Sequence, residues 1–179
     1  MGLILENQLR LKAESGVHFD LELIVGVEIT HVPPPMMETC VDRARELGAE
    51  IVVVHGETIV EPVEMGTNLA AIEAGVDILA HPGLITEQEV ELAAEKGVCL
   101  EITTRGGHSM GNGRVMNLAR KYGAKLVINN DAHAPRDLVG EEFRRKVAYA
   151  CGMTAEEYDK TLETAMDIVG RVVQQSRKK

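Results

Sequence analysis

The sequence predicts an α/β fold built on a parallel sheet, from three observations. A helix–glycine–strand unit recurs four times, a short unbroken apolar run follows each glycine, and chemically active polar residues follow those runs. The units are Arg45-Glu46-Leu47-Gly48 before Ile51–Val54, Ile72-Glu73-Ala74-Gly75 before Ile78–Ala80, Ala94-Glu95-Lys96-Gly97 before Val98–Leu100, and Arg120-Lys121-Tyr122-Gly123 before Leu126–Ile128. A glycine directly after the last helical turn takes the left-handed conformation that closes a helix. Runs of three or four apolar residues without alternation suit strands buried on both faces. Leu23-Ile24-Val25-Gly26-Val27 supplies a fifth strand. Such alternation implies right-handed crossovers, in either an open doubly wound sheet or a barrel.

The helix starts agree. Thr86-Glu87-Gln88-Glu89 reads as a capping box opening a helix through Lys96, and Thr154-Ala155-Glu156-Glu157 opens a terminal helix over about 154–175. Pro33-Pro34-Pro35 breaks the chain before a helix from Met36 to Leu47. The 179 residues suffice for one domain with a real core, and no linker divides them, so 1–179 reads as a single domain.

Composition narrows the function classes. Apolar residues make up 45% and charged residues 26%, the balance of an ordinary globular protein. No apolar run approaches the roughly 18 residues of a membrane span. Met1–Asn7 lacks a basic leader, so a cytoplasmic location is expected. The net charge of −9 argues against nucleic acid as a main partner, because phosphate backbones are bound by clustered Lys and Arg. The basic cluster Arg177-Lys178-Lys179 reads as a solvated tail. Cys40, Cys99 and Cys151 form no CxxC pair and read as buried small hydrophobes, and the methionines as core fillers.

In parallel β/α folds, functional groups gather at the carboxyl ends of the strands. Those positions hold Glu28, then His55 with Glu57, His81, Glu101 with Arg105 and His108, and Asp131 with His133. A lone histidine there more often packs or hydrogen-bonds than ligates. Four of the six histidines on one rim, beside Glu28 and Asp131, point instead to a metal such as Zn²⁺, Mn²⁺ or Fe²⁺. Pro82-Gly83 reads as a turn whose sharp exit leaves the His81 imidazole facing the rim. Asp131-Ala132-His133 reads as an extended segment with both side chains on one side, or else as a helix start with an incidental histidine. Gly106–Gly113 lacks nucleotide-binding spacing and reads as a mobile rim loop, whose amides with Arg105 and His108 suit a phosphate. His31 is equally open to ligand and structural roles, and His18 reads as surface. Asn129-Asn130 is positioned to orient the Asp131 segment.

At Gly26-Val27-Glu28-Ile29, Val54-His55-Gly56-Glu57, Leu79-Ala80-His81-Pro82-Gly83 and Asn130-Asp131-Ala132-His133, the chain resembles the PHP (polymerase and histidinol phosphatase) family, especially its small stand-alone phosphoesterases. The resemblance covers about residues 10–140. It implies a distorted (β/α)7 TIM-like barrel with two or three divalent metals in a rim cleft. Glu28 would bridge two of them, His55 and His81 would complete one, and Asp131 and His133 would serve the others. The family's opening His-x-His strand, a further histidine and an Asp-His strand end are missing, so about two N-terminal βα units are expected to be absent. Only the position of Glu28, His55 and His81 keeps all its protein ligands, and at least one metal is expected. A truncated gene product and a naturally shortened, self-associating barrel both fit.

The leading expectation is therefore a metal-dependent phosphoesterase hydrolysing a small phosphomonoester with metal-activated water, with Glu28, Asp131, Arg105 and His108 as catalytic residues. The alternative is a non-catalytic metal-binding or assembly module, motivated by the missing strands. A doubly wound nucleotide-binding domain is a weaker third reading, since no glycine fingerprint follows a first strand. A homo-oligomer is a further expectation, because an open barrel leaves unpaired strand edges.

Overall fold

Each of the four repeating glycines closes its helical turn. Their φ angles are +93° at Gly48, +67° at Gly75, +72° at Gly97 and +74° at Gly123 in a computed structural model that describes residues 1–15 and 22–176. His18 and the Arg177-Lys178-Lys179 cluster lie outside the described residues. In chain order the elements are α1 (Gly2–Ser15), β1 (Gly26–Ile29), α2 (Met37–Glu46), β2 (Ile51–His55), α3 (Thr67–Glu73), β3 (Ile78–Ala80), α4 (Glu87–Lys96), β4 (Cys99–Thr103), α5 (Asn112–Tyr122), β5 (Leu126–Asn129), α6 (Glu141–Ala150) and α7 (Ala155–Ser176). Both capping boxes form. The Thr86 hydroxyl accepts from the Glu89 amide while Glu89 accepts from the Thr86 amide, and Thr154 and Glu157 repeat the exchange.

The five strands are parallel and lie in sequence order, β1-β2-β3-β4-β5. Every crossover therefore steps one strand in the same direction. The order never reverses, which rules out the doubly wound sheet and gives the arc of a TIM-like β/α barrel. Strand residues divide by parity. Val52, Val54, Leu79, Leu100, Ile102 and Leu126 face the helical layer, where they meet Val41, Ile72, Val90 and Val115. Ile51, Val53, Ile78, Cys99 and Val127 face the other way and pack with Ile168 of α7. In a closed barrel, opposite strands fill the interior. Here α7 covers that face at its amino-terminal end, with Arg171 3.3 Å from Asp77 just before β3. The carboxyl ends of the strands are left to the polar residues.

Three expectations need adjustment. The first ladder begins at Gly26, three residues later than the apolar run: the Val25 amide donates to the Glu50 carboxylate (2.7 Å), so the chain enters the sheet tethered to a side chain. Met37, Met116 and Met153 are buried, but Met65, Met110 and Met166 are exposed, so the methionines are not uniformly core. Of the cysteines, Cys99 is buried while Cys40 and Cys151 are half-buried, and all three are free thiols. No helix among the described residues is long and apolar enough to cross a membrane.

Candidate functional site

Parity places the site. On β2, Ile51, Val53 and His55 alternate onto the inner face, and on β4, Cys99, Glu101 and Thr103 do the same. The inner face is thus apolar below and turns polar at the strand ends. There His55, His81 and His108 converge, each no more than 6% exposed, with ligand-capable atoms within 4.8 Å of one another. The His81 ring stands edge-on to both neighbours, with centroids 4.5 Å from His55 and 4.6 Å from His108.

Hydrogen bonds fix the ring orientations. His55 Nδ1 lies 3.0 Å from the Gly56 carbonyl, and His81 Nδ1 lies 2.8 Å from the Glu101 carboxylate, which also accepts the His81 amide at 3.0 Å. Carbonyl and carboxylate accept only, so each Nδ1 carries a hydrogen, and in the neutral ring Nε2 presents a lone pair. His55 Nε2, His81 Nε2 and His108 Nδ1 are buried without a hydrogen-bond partner among the described residues. Glu28 Oε1 lies 4.0 Å from His81 Nε2, and Glu61 stands 3.8 Å from His55 Nε2 and 3.9 Å from His108 Nε2.

Burial and neighbouring charge pull the four groups in different directions. Burial pushes His55 and His108 down, reinforced by the adjacent His81. Burial also opposes charge on His81, but its hydrogen bond to Glu101 and the charges of Glu101 and Glu28 outweigh it, and its net shift is upward. Glu28 is raised by burial, with the charge of His81 working against that rise and Asp131 adding to it.

Glycines lock the histidine-bearing segments together. A Cβ on Gly56 would lie 2.5 Å from the Ala80 carbonyl and 2.7 Å from Pro82 Cα. One on Gly83 would lie 2.0 Å from the Glu57 carbonyl, and one on Gly111 3.0 Å from Gly83 Cα. The segment after His55 thus seats on the segment after His81, which in turn receives the segment after His108. Asn68 clamps the same junction, accepting from the Glu57 amide (2.9 Å) and donating to the Pro82 carbonyl (3.0 Å).

The structure sorts the predicted site residues into two groups. Glu28, His55, His81 and His108 share the histidine chamber, so His108 joins the candidate ligands instead of standing apart as a phosphate contact. Its segment is a packed 3₁₀ turn, His108–Gly111, entering α5. Asp131 and His133 form the second group, around Arg105. The guanidinium lies 3.3 Å from Asp131 Oδ2, donates to the Asp131 carbonyl (2.8 Å), and stands 2.8 Å from His133 Nδ1. Arg105 is therefore engaged within the protein. Asp131 is not extended, with φ +46°, so it meets His133 through a left-handed turn and not through strand alternation. The Thr104 hydroxyl donates to Asn130 (3.3 Å), tying the Asp131 segment to β4. His31, also at positive φ (+57°), is 60% exposed with its ring centroid 6.4 Å from that of His55. The contribution of Glu101 was signalled in the sequence by its place at the β4 end. That of Glu61 had no such signal, since it lies in the loop after β2.

No protein-family model matches the chain. It is 51% identical over 144 residues to an uncharacterized protein of Methanocaldococcus jannaschii, covering 80% of this chain and 66% of that protein. It is 28% identical over 172 residues to the ribonuclease P protein component 3 of Methanosarcina mazei and to that of Methanosarcina acetivorans, covering 87% of this chain and 68% of each of theirs. The chain thus spans about two thirds of the length of these relatives. A chain in the cryo-EM structure of archaeal ribonuclease P with mature tRNA superposes with a TM-score of 0.76 at 20% identity, covering 96% of this chain and 78% of that one.

These findings correct the resemblance and what was drawn from it. The named relatives are ribonuclease P components, not PHP phosphoesterases. The expected hydrolase acting on a small phosphomonoester is overturned with it, and the alternative of a metal-binding or assembly module is not what the relatives are either. The physical reason is that histidines and carboxylates at strand ends belong to the β/α architecture as much as to one chemistry. The exclusion of nucleic acid is overturned too, since the named relatives are ribonuclease P components and one solved structure on which the chain superposes is archaeal ribonuclease P with mature tRNA. Net charge sums over the whole surface and does not describe any one face of it.

Proposed function

We propose that this chain is a protein component of a ribonuclease P-type ribonucleoprotein acting in tRNA processing, with RNA and the other protein subunits as partners. The observation that carries the reading is the 28% identity to ribonuclease P protein component 3, sustained over 87% of the chain. The superposition on a chain of archaeal ribonuclease P supports it at the level of fold.

Several surface cations of the described residues are engaged in ion pairs. Arg145 and Lys146 of α6 are paired with Glu141 (2.8 Å) and Glu142 (2.7 Å) one turn earlier, and Arg120 is paired with Glu157 (2.6 Å). The test is affinity purification of the tagged full chain from its host, followed by sequencing of bound RNA and a precursor-tRNA cleavage assay. Ribonuclease P RNA and cleavage activity should co-purify and survive moderate salt. Recovery of the chain without that RNA and without the other subunits overturns the reading.

A further inference from the structure

We infer that His55, His81 and His108 hold a single divalent transition-metal ion. The inference is independent of the ribonuclease P reading. It begins from a hydrogen-bond count. His55 Nε2, His81 Nε2 and His108 Nδ1 are buried and unpartnered among the described residues. The Nδ1 hydrogens of His55 and His81 are committed to the Gly56 carbonyl and to Glu101. Three buried ring nitrogens therefore face one chamber without a partner, and with the rings neutral at least two of them are lone pairs, an arrangement that is costly unless something electron-poor sits between them.

The supporting contacts are those a metal site uses. A ligating imidazole donates its other ring N–H to a carboxylate or a backbone carbonyl, which fixes the tautomer and raises ligand basicity. Glu101 does this for His81, and Gly56 for His55. Three nitrogens within 4.8 Å of one another place a central ion no more than about 2.8 Å from each; Zn–N bonds of about 2.1 Å need each ring to close in by at most roughly 0.7 Å, within side-chain adjustment. Imidazole donors select Zn²⁺, Cu²⁺, Ni²⁺ or Fe²⁺ over Mg²⁺ or Ca²⁺. Glu28, 4.0 Å from His81 Nε2, stands nearest for a fourth position, with solvent as the other source.

The limit to one ion follows from the second group. Asp131 and His133 are engaged outside the chamber: the Arg105 guanidinium lies 3.3 Å from Asp131 Oδ2 and 2.8 Å from His133 Nδ1. Arginine cannot be deprotonated in a protein, so it is a permanent cation beside both.

The experiment uses the full chain, purified without chelator, equilibrated with excess ZnCl₂ and desalted before elemental analysis. The unaltered chain should retain about one zinc. His108→Ala and His55→Ala should each lower zinc affinity at least 100-fold, whereas His31→Ala should retain one zinc. Glu101→Gln, which removes the charge and keeps an acceptor for His81, should weaken retention about 10- to 100-fold. Because a variant with a disturbed chamber can misfold, the unaltered chain is also loaded with Co²⁺ and its visible spectrum recorded. Intense d–d bands of a nitrogen-ligated, four- or five-coordinate ion support the site. Retention of no metal, of two or three metals, or of one metal that survives the triple His55→Ala, His81→Ala, His108→Ala change overturns the inference, as does an octahedral cobalt spectrum.

Discussion

Gly83→Ala tests whether the histidine segments are held by backbone-to-backbone seating. Two separate costs arise at this position. Gly83 has φ +59°, and a side chain in the left-handed region costs about 1–2 kcal/mol. The new Cβ would also lie 2.0 Å from the Glu57 carbonyl oxygen. That oxygen has little room to retreat. The Glu57 amide donates to Asn68, and its carboxylate accepts from the amides of Gly66 (3.0 Å) and Asn68 (2.9 Å). Overpacking of this kind adds about 1–3 kcal/mol. Gly75→Ala isolates the first cost, since Gly75 has φ +67° and open space where its Cβ would go. Both variants should be unfolded in urea and by heat, followed by circular dichroism. Gly83→Ala should lose about 1–3 kcal/mol more than Gly75→Ala, which at this chain length is about 2–12 °C in Tm. Equal losses within about 0.5 kcal/mol refute the seating argument.

The other expectations concern packing and charge. Tyr158 is fully buried and its hydroxyl has no partner among the described residues, so Tyr158→Phe should be neutral or stabilising by up to about 1 kcal/mol in urea titration. A loss above 1 kcal/mol would mean that the hydroxyl is satisfied in solution. Ile168→Ala opens the seam between α7 and the inner face of the sheet and should cost about 2–4 kcal/mol; a loss below about 1 kcal/mol would show that α7 does not close that face. The Arg120 guanidinium and the Thr154 amide hold Glu157 down at about 2, below its unfolded value near 4.5. The folded value is the lower one, so this stabilisation is present above pH 4.5 and is lost as pH falls toward 2. After solvent screening it amounts to about 0.5–1 kcal/mol, and Glu157→Gln should flatten that part of the stability–pH curve. An unchanged acid slope would count against the pairing.

The fold was legible because its rules are local. Gly48, Gly75, Gly97 and Gly123 announce helix ends, Thr86 and Thr154 announce helix starts, and the apolar runs between them leave few alternatives to a parallel sheet. The first strand was misplaced because its ladder is set by pairing with Ile51 and by a side-chain tether from Glu50, neither of which a run of apolar residues reveals. The site was legible as a set and not as an arrangement. That Glu28, His55, His81, Glu101, His108, Asp131 and His133 gather at strand ends follows from parity and topology. That Arg105 turns toward Asp131 instead of outward, and that the turn carrying His108 seats through Gly111 on Gly83, depends on tertiary contacts between residues 20 or more positions apart in sequence.

The backbone adds an argument that composition could not. Among the described residues only His31, His81 and Asp131 take positive φ without being glycine, and all three stand on the strand-end rim. Each such conformation costs of order 1–3 kcal/mol and persists only where the surroundings over-determine it. For His81 those surroundings are visible: its amide and its ring both bind Glu101, and Pro82 beyond it is seated against Gly56. For Asp131, the Arg105 guanidinium holds both the carboxylate and the carbonyl. A chain that had only to fold would place glycine or asparagine at such positions at lower cost. The rim is held in shape against local preference by contacts that reach across from other strand ends.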